Sequence, residues 1–182
     1  GMHPLHGTMA AISGKDVLTE KPMGTNYFQA RELIEVCEQK NVQLHVVHQN
    51  RLNSTIQLLK RAIDKGRFGK IYNFQVNVFW TRPQEYYDQA SWRGTWELDG
   101  GAYMNQASHY VDLVTYLLGD IDSVSAFTAT MARNIEAEDT GVAVFKSTSG
   151  VIGSMNVTML TYPKNLEGSI TILGEKGTVR IG

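Results

Sequence analysis

Asn105, His109, Asp112 and Tyr116 are spaced by four, three and four residues, which places them on one stripe of a helix. An amide, an imidazole and a carboxylate in line can orient a hydroxyl-bearing ligand and exchange its proton. Residues 100–119, GGAYMNQASHYVDLVTYLLG, predict that helix, with Met104, Ala107, Val111, Val114 and Leu118 facing a core and Gly119 ending it. A lone histidine in an apolar helix can equally be a hydrogen-bonded core residue, so spacing leaves both readings open. The second candidate is Lys21, between Glu20 and Pro22 just after a short predicted strand. In open α/β sheets ligands gather outside the carboxyl ends of strands, where this lysine falls. There an amine can hold a substrate hydroxyl and, with its pKa lowered, trade a proton with it. An ordinary solvated turn lysine is the other reading.

The elements that must position these residues change character along the chain. His3 to Ser13 predicts a short helix, Asp16 to Thr19 a strand, Asn26 to Lys40 an amphipathic helix with Phe28, Leu33, Val36 and Cys37 inward. The run NVQLHVVHQN reads as a second strand covered on both sides, and Ser54 to Lys65 as a helix stopped by Gly66. That alternation is the pattern of a parallel α/β unit, although two strands are too few to complete one. From Lys70 onward, IYNFQVNVFW alternates Tyr72, Phe74, Val76, Val78 and Trp80 with Asn73, Gln75 and Asn77, the mark of an antiparallel strand with one wet face. Strands are expected near 122–131, 140–146, 151–160, 167–173 and 178–181, with hairpin turns at Ser149-Gly150 and Lys176-Gly177. The fold class read from this is α/β followed by α+β: a partial parallel unit, then a mostly antiparallel open sheet backed by helices.

A charged fraction of 19% and a net charge of −1 give no pull toward nucleic acid or an anionic membrane. No apolar run reaches the roughly 20 residues of a membrane span, so neither partner is expected. Cys37 is the one cysteine, which excludes an internal disulfide, fits a reducing, cytoplasmic setting, and reads as a packing thiol. The pairs His3/His6 and His45/His48 lack neighbouring carboxylates or cysteines, and no metal site is expected there.

Taken in order, the strand followed by EKP, the strand ending in QNR, and the stretches FWTRPQEYYD, WRGTWELDGG, MNQASHYVDL, EDTGV and MLTYPKNLEGSITILGEKGTVR resemble the glucose–fructose oxidoreductase/inositol dehydrogenase (Gfo/Idh/MocA) family from His3 to Gly182. The likeness is greatest to the branch oxidising the 3-hydroxyl of UDP-N-acetyl-2-amino-2-deoxyglucuronate, an intermediate of surface-polysaccharide synthesis. It implies a partial Rossmann domain over residues 1–66 and a substrate and dimerisation domain over 67–182. By the same resemblance Lys21 matches a catalytic lysine and His109 an acid/base histidine. His3, Glu20, Lys21, Pro22, Gln49, Trp92 and Arg93 match the border of an NAD site. Arg51, Arg82, Tyr87, Tyr162, Lys164 and Asn165 are expected to meet a nucleotide-sugar substrate, arginines at its diphosphate or carboxylate and aromatic faces at its rings. Asn105 stands where many relatives carry aspartate, so it is assigned to hydrogen-bonding the sugar.

No G-x-G-x-x-G follows a strand in this sequence, and the family carries that phosphate-binding turn in its first strand–helix unit. The expectation is a chain that begins after that unit and binds NAD weakly alone. The wet strand faces predict a homo-oligomer through the sheet. Two other functions stay open: a non-catalytic sugar-nucleotide-binding or assembly module, and a sibling dehydrogenase for a free sugar or inositol.

Overall fold

The computed structural model describes residues 1–182. Helix α1 (His3–Ile12) leads into β1 (Val17–Glu20), α2 (Tyr27–Lys40) and β2 (Leu44–Val47). Strands β1 and β2 pair in parallel, Glu20 opposite Val47, so the chain leaves both at the same end of this two-stranded sheet. A 3₁₀ turn (Gln49–Leu52) and α3 (Ser54–Asp64) then lead to β3 (Ile71–Phe79). After a short α4 (Gln84–Asp88) come a π-helical turn (Ala102–Gln106) and α5 (Ser108–Leu118). The remaining strands are β4 (Ile121–Ala129), β5 (Thr140–Ser147), β6 (Ile152–Thr158), β7 (Glu167–Gly174) and β8 (Gly177–Ile181). They join β3 in a six-stranded sheet of order β4-β5-β6-β3-β7-β8. The hairpins at Gly150 and Lys176 form as expected.

One sheet face is buried and defines the main core. Phe74, Val76 and Val78 of β3 pack with Phe145, Met155, Val157, Ile170 and Ile172 from neighbouring strands. Leu113, Val114 and Leu117 of α5, with Ile56 and Leu59 of α3, close over them. Gly153 is required here for space. A side chain on it would meet the Phe145 ring at 2.3 Å, and without one Phe145 reaches Phe74 edge-on at 6.4 Å. A second core of Ala11, Val17, Leu33 and Cys37 holds α1 and α2 on the small sheet. Cys37 is the packing thiol expected, and its burial raises its pKa.

Four expectations need correction. The helix over residues 100–119 is broken at Ala107, where π-helical geometry passes into α-helix. That break, with Val111 about 110° around α5 from the Leu113–Val114–Leu117 face, leaves Met104 and Val111 exposed. Phe28 is exposed too, being about 140° from Leu33 on α2. Strand β2 is half-buried, not covered on both faces, because α1 and α2 pack on one face of the small sheet and leave Leu18 and His45 exposed on the other. Finally, β3 is not purely antiparallel: it runs antiparallel to β7 but parallel to β6, so the sheet is mixed.

Candidate active site

The end of the small sheet meets the π-helical turn. Lys21, immediately after β1, donates from Nζ to the Asn105 carbonyl oxygen at 2.8 Å and to Asn105 Oδ1 at 3.3 Å. Ser108 donates to the same carbonyl at 2.9 Å, which ties the first turn of α5 to it. Lys21 therefore shares one environment with His109, one turn further on. Burial lowers the Lys21 pKa, opposed by the charges of Glu20 and Asp99. Burial also lowers that of His109, with the fields of Lys21 and then His48 adding to it. His109 Nδ1 is buried and has no partner in the protein. The Lys21–Pro22 peptide is cis, and His3 Nδ1 lies 2.8 Å from the Pro22 carbonyl, so His3 braces the same turn.

Why the chain bends into this turn is visible at Gly100 and Gly101, whose φ values are +80° and +81°. A side chain on Gly101 would meet a carboxylate oxygen of the buried Glu138 at 2.0 Å. That same carboxylate accepts the Tyr103 N–H at 3.0 Å, and the Glu138 carbonyl accepts the Ala102 N–H at 3.0 Å, so Glu138 caps the turn. Its neighbour Asp139 accepts the N–H groups of Met131, Ala132 and Arg133 at 2.9–3.0 Å. The EDTGV stretch thus orders two turns with consecutive carboxylates. Gly101→Ala is expected to destabilise the protein by about 1–3 kcal/mol, from positive φ plus the displaced Glu138, as read by denaturant melting.

The residue after Asn105 faces a second cluster. Gln106 Oε1 accepts from Arg82 Nε at 3.1 Å, and its Nε2 donates to the Tyr86 hydroxyl at 2.9 Å. The Arg82 guanidinium lies 5.4 Å from the Tyr86 ring centre, and that of Arg93 4.0 Å from it. Arg93 also stands 5.4 Å over Trp92. Tyr87 is buried against Tyr86, and burial pushes its hydroxyl up to about 12. Consecutive residues of one π-helical turn, a geometry frequent at functional sites, therefore address the Lys21–His109 pair and a two-arginine cluster.

The other expected residues fall nearby or turn away. Gln49 opens the 3₁₀ turn at the same sheet end as Lys21. Glu20 is exposed and acts on Lys21 through its charge. Asn165 Oδ1 accepts the Thr81 N–H at 2.8 Å, which ties the Tyr162–Asn165 loop to the strand beside Arg82. Tyr162 projects into solvent at 94% exposure, and Lys164 is exposed beside it. Arg51 is spent on Asp112, donating from Nε at 2.8 Å and Nη2 at 2.5 Å. Four residues at the site were not anticipated: Asp99, His48, Gln106 and Glu138. His48 directly follows β2, a placement that could have found it, whereas Asp99 beside the glycine pair and Glu138 in a loop carry no such signal.

Residues 56–180 match the GFO/IDH/MocA C-terminal domain, and residues 1–48 match the oxidoreductase family, NAD-binding Rossmann fold. The chain belongs to the GFO/IDH/MocA family of oxidoreductases. Within this family it is 62% identical to the WlbA dehydrogenase of Bordetella pertussis, solved with NADH and UDP-GlcNAcA. The TM-score is 0.97 over 99% of this chain and 54% of that one. The Chromobacterium violaceum WlbA dehydrogenase, solved with the same two ligands, matches at 62% identity and TM-score 0.97, over 98% of this chain and 52% of that one. Oxidoreductase P35 of Formosa agariphila is 25% identical over 97% of this chain and 55% of its own length. The chain thus spans about half the length of the GFO/IDH/MocA relatives it matches.

Proposed function

We propose that this chain carries the proton-transfer and substrate-side groups of an NAD-dependent dehydrogenase that oxidises a hydroxyl, the 3-hydroxyl, of a UDP-linked N-acetylamino sugar acid. The observation that carries the reading is the pairing of Lys21 with the Asn105–His109 segment, 84 residues away at its Asn105 contact. The 62% identity with dehydrogenases solved with NADH and UDP-GlcNAcA supports the choice of substrate. The residues present fit the nicotinamide end of a cofactor site: a half-buried amine, a buried imidazole nitrogen with no protein partner, and His3 bracing the cis-proline turn. His3, Glu20, Lys21, Pro22, Gln49, Trp92 and Arg93 would border it. NAD, when bound, supplies the hydride acceptor.

The protein's own part is acid–base chemistry and positioning. Neutral His109 accepts the proton of the sugar hydroxyl, its lowered pKa keeping it unprotonated near neutrality. Lys21 donates a hydrogen bond to the same oxygen and stabilises its developing charge. Asn105 orients a neighbouring hydroxyl, and Arg82 with Arg93 answers the diphosphate or the sugar carboxylate. Residues 1–66 would form the cofactor side and 67–182 the substrate side.

On the far face of the large sheet, Phe127, Val142 and Val144 are exposed, with β6 between them and the Asn73, Gln75 and Asn77 row of β3. That mixed surface supports a second copy as the partner. No helix is long and apolar enough to cross a membrane, and the free buried Cys37 suits a reducing cytoplasm.

The test is turnover of NAD with UDP-linked sugar acids, followed by absorbance of reduced nicotinamide, with kcat/KM measured against pH. Activity requires neutral His109, so it falls as pH drops through that residue's pKa. Because burial lowers this pKa, the acid limb is expected below the ordinary histidine value of 6.5. A limb above that value, or turnover indifferent to His109→Ala, would overturn the assignment.

A further inference from the structure

Asp99 is a nearly fully buried carboxylate that touches neither side chain of the proton-transfer pair, yet everything around it leads to Lys21. One oxygen accepts the Gly94 N–H at 2.6 Å, which anchors the group to a loop turn. The other accepts from Nδ2 of Asn105 in a short hydrogen bond. A carboxylate can only accept here, so it selects one orientation of the Asn105 amide: nitrogen toward Asp99, oxygen toward the Lys21 ammonium. We propose that Asp99 is a positioning residue for the Lys21 amine, acting through the Asn105 amide it polarises and locks. The inference deepens the dehydrogenase reading and rests on it for its meaning, although its geometry does not depend on turnover.

The electrostatics run the same way. Burial lowers the Lys21 pKa, and the charges of Glu20 and then Asp99 oppose it. The other ionisable groups facing Asp99 are Tyr87, the carboxyl of Glu138 and the amino group of Gly1. With Asp99 in place, the Asn105 amide keeps its oxygen toward the amine and holds it. Without it, the Asn105 amide is free to turn its NH₂ toward Lys21, which sets donors against donors.

The variants Asp99→Asn and Asn105→Ala test this, together with the exchange Asp99→Asn/Asn105→Asp, which restores a carboxylate–amide pair in reverse order. The first readout is the Lys21 Cε chemical shift against pH, assigned with Lys21→Arg. Its midpoint is expected to fall in Asp99→Asn and to return to the parent value or above in the exchanged pair. The second is the split of kcat from KM with the sugar nucleotide. Asp99→Asn is expected to lower kcat by about 10- to 100-fold with KM little changed. If Asp99→Asn does not fold, Asn105→Ala carries the test, because it removes the relay and leaves the Asp99–Gly94 bond in place. A Lys21 midpoint unmoved in the folded variants overturns the proposal even where turnover is seen. A midpoint that moves as expected supports the positioning role even in a protein turning over no sugar nucleotide, since a chain that binds NAD weakly can lack turnover for that reason alone.

Discussion

Replacing Lys21 with methionine is expected to lower turnover of a UDP-linked sugar acid by about a thousand-fold, within the range removed with one general acid–base group. Methionine keeps the length and apolar stem of lysine and deletes only the amine. The lost protein contacts are the two hydrogen bonds to Asn105, 2.8 and 3.3 Å long, so the fold should survive. His109→Gln should cost a similar factor, because the imidazole is the other group proposed to meet the same oxygen. The informative measurement is the double variant. Groups that act on one proton as a unit lose much less together than the product of their separate losses. A double variant as impaired as either single one would support a shared site. Losses that multiply would mean that the two side chains serve separate steps, and undiminished turnover in Lys21→Met would end the reading.

Much of this site was legible before any coordinates. Lys21 and His109 stand out because an amine after a strand and an imidazole in a polar stripe are types that chemistry uses, at positions a fold can bring together. What periodicity could not supply was the break at Ala107. A step of four from Asn105 to His109 reads as one α-helical turn, but the chain passes there from π-helical to α-helical geometry. The stripe through Asp112 is therefore continuous only from His109 onward. Asn105 and Gln106 splay apart, one to Lys21 and the other to Arg82. Asp99 and Glu138 were invisible for a different reason. A carboxylate beside glycines or in a strand-edge loop reads as solvated surface, and only the tertiary structure reveals that both are buried on backbone N–H groups. Arg51 shows the opposite error of scale: its residue type suits a diphosphate, but its fork is already filled by Asp112.

That filled fork leads to the second large effect, an asymmetry in stability. The Arg51–Asp112 pair joins the turn after β2 to α5, and with it the sheet end carrying Lys21 to the helix carrying His109. Asp112 is 8% exposed in its side chain and Arg51 39%. Tyr116 lies 4.9 Å beneath the guanidinium, and Gln57 donates to the Arg51 carbonyl at 2.5 Å. Removing the arginine strands a carboxylate away from water. Only His48 remains to answer it, at 3.4 Å and poorly aimed, and that contact is an ion pair only when the ring carries a proton. Removing the aspartate leaves a guanidinium that can turn outward into solvent. Arg51→Ala is therefore expected to destabilise by about 3 kcal/mol, near the cost of orphaning a buried charge. Asp112→Ala should cost only about 1 kcal/mol. Denaturant melts of the two variants and their double combination read this directly, and the double variant should be more stable than Arg51→Ala alone. Equal losses, or a larger loss at Asp112, would mean that solvent reaches the carboxylate and that the pair is not what couples the two sheets.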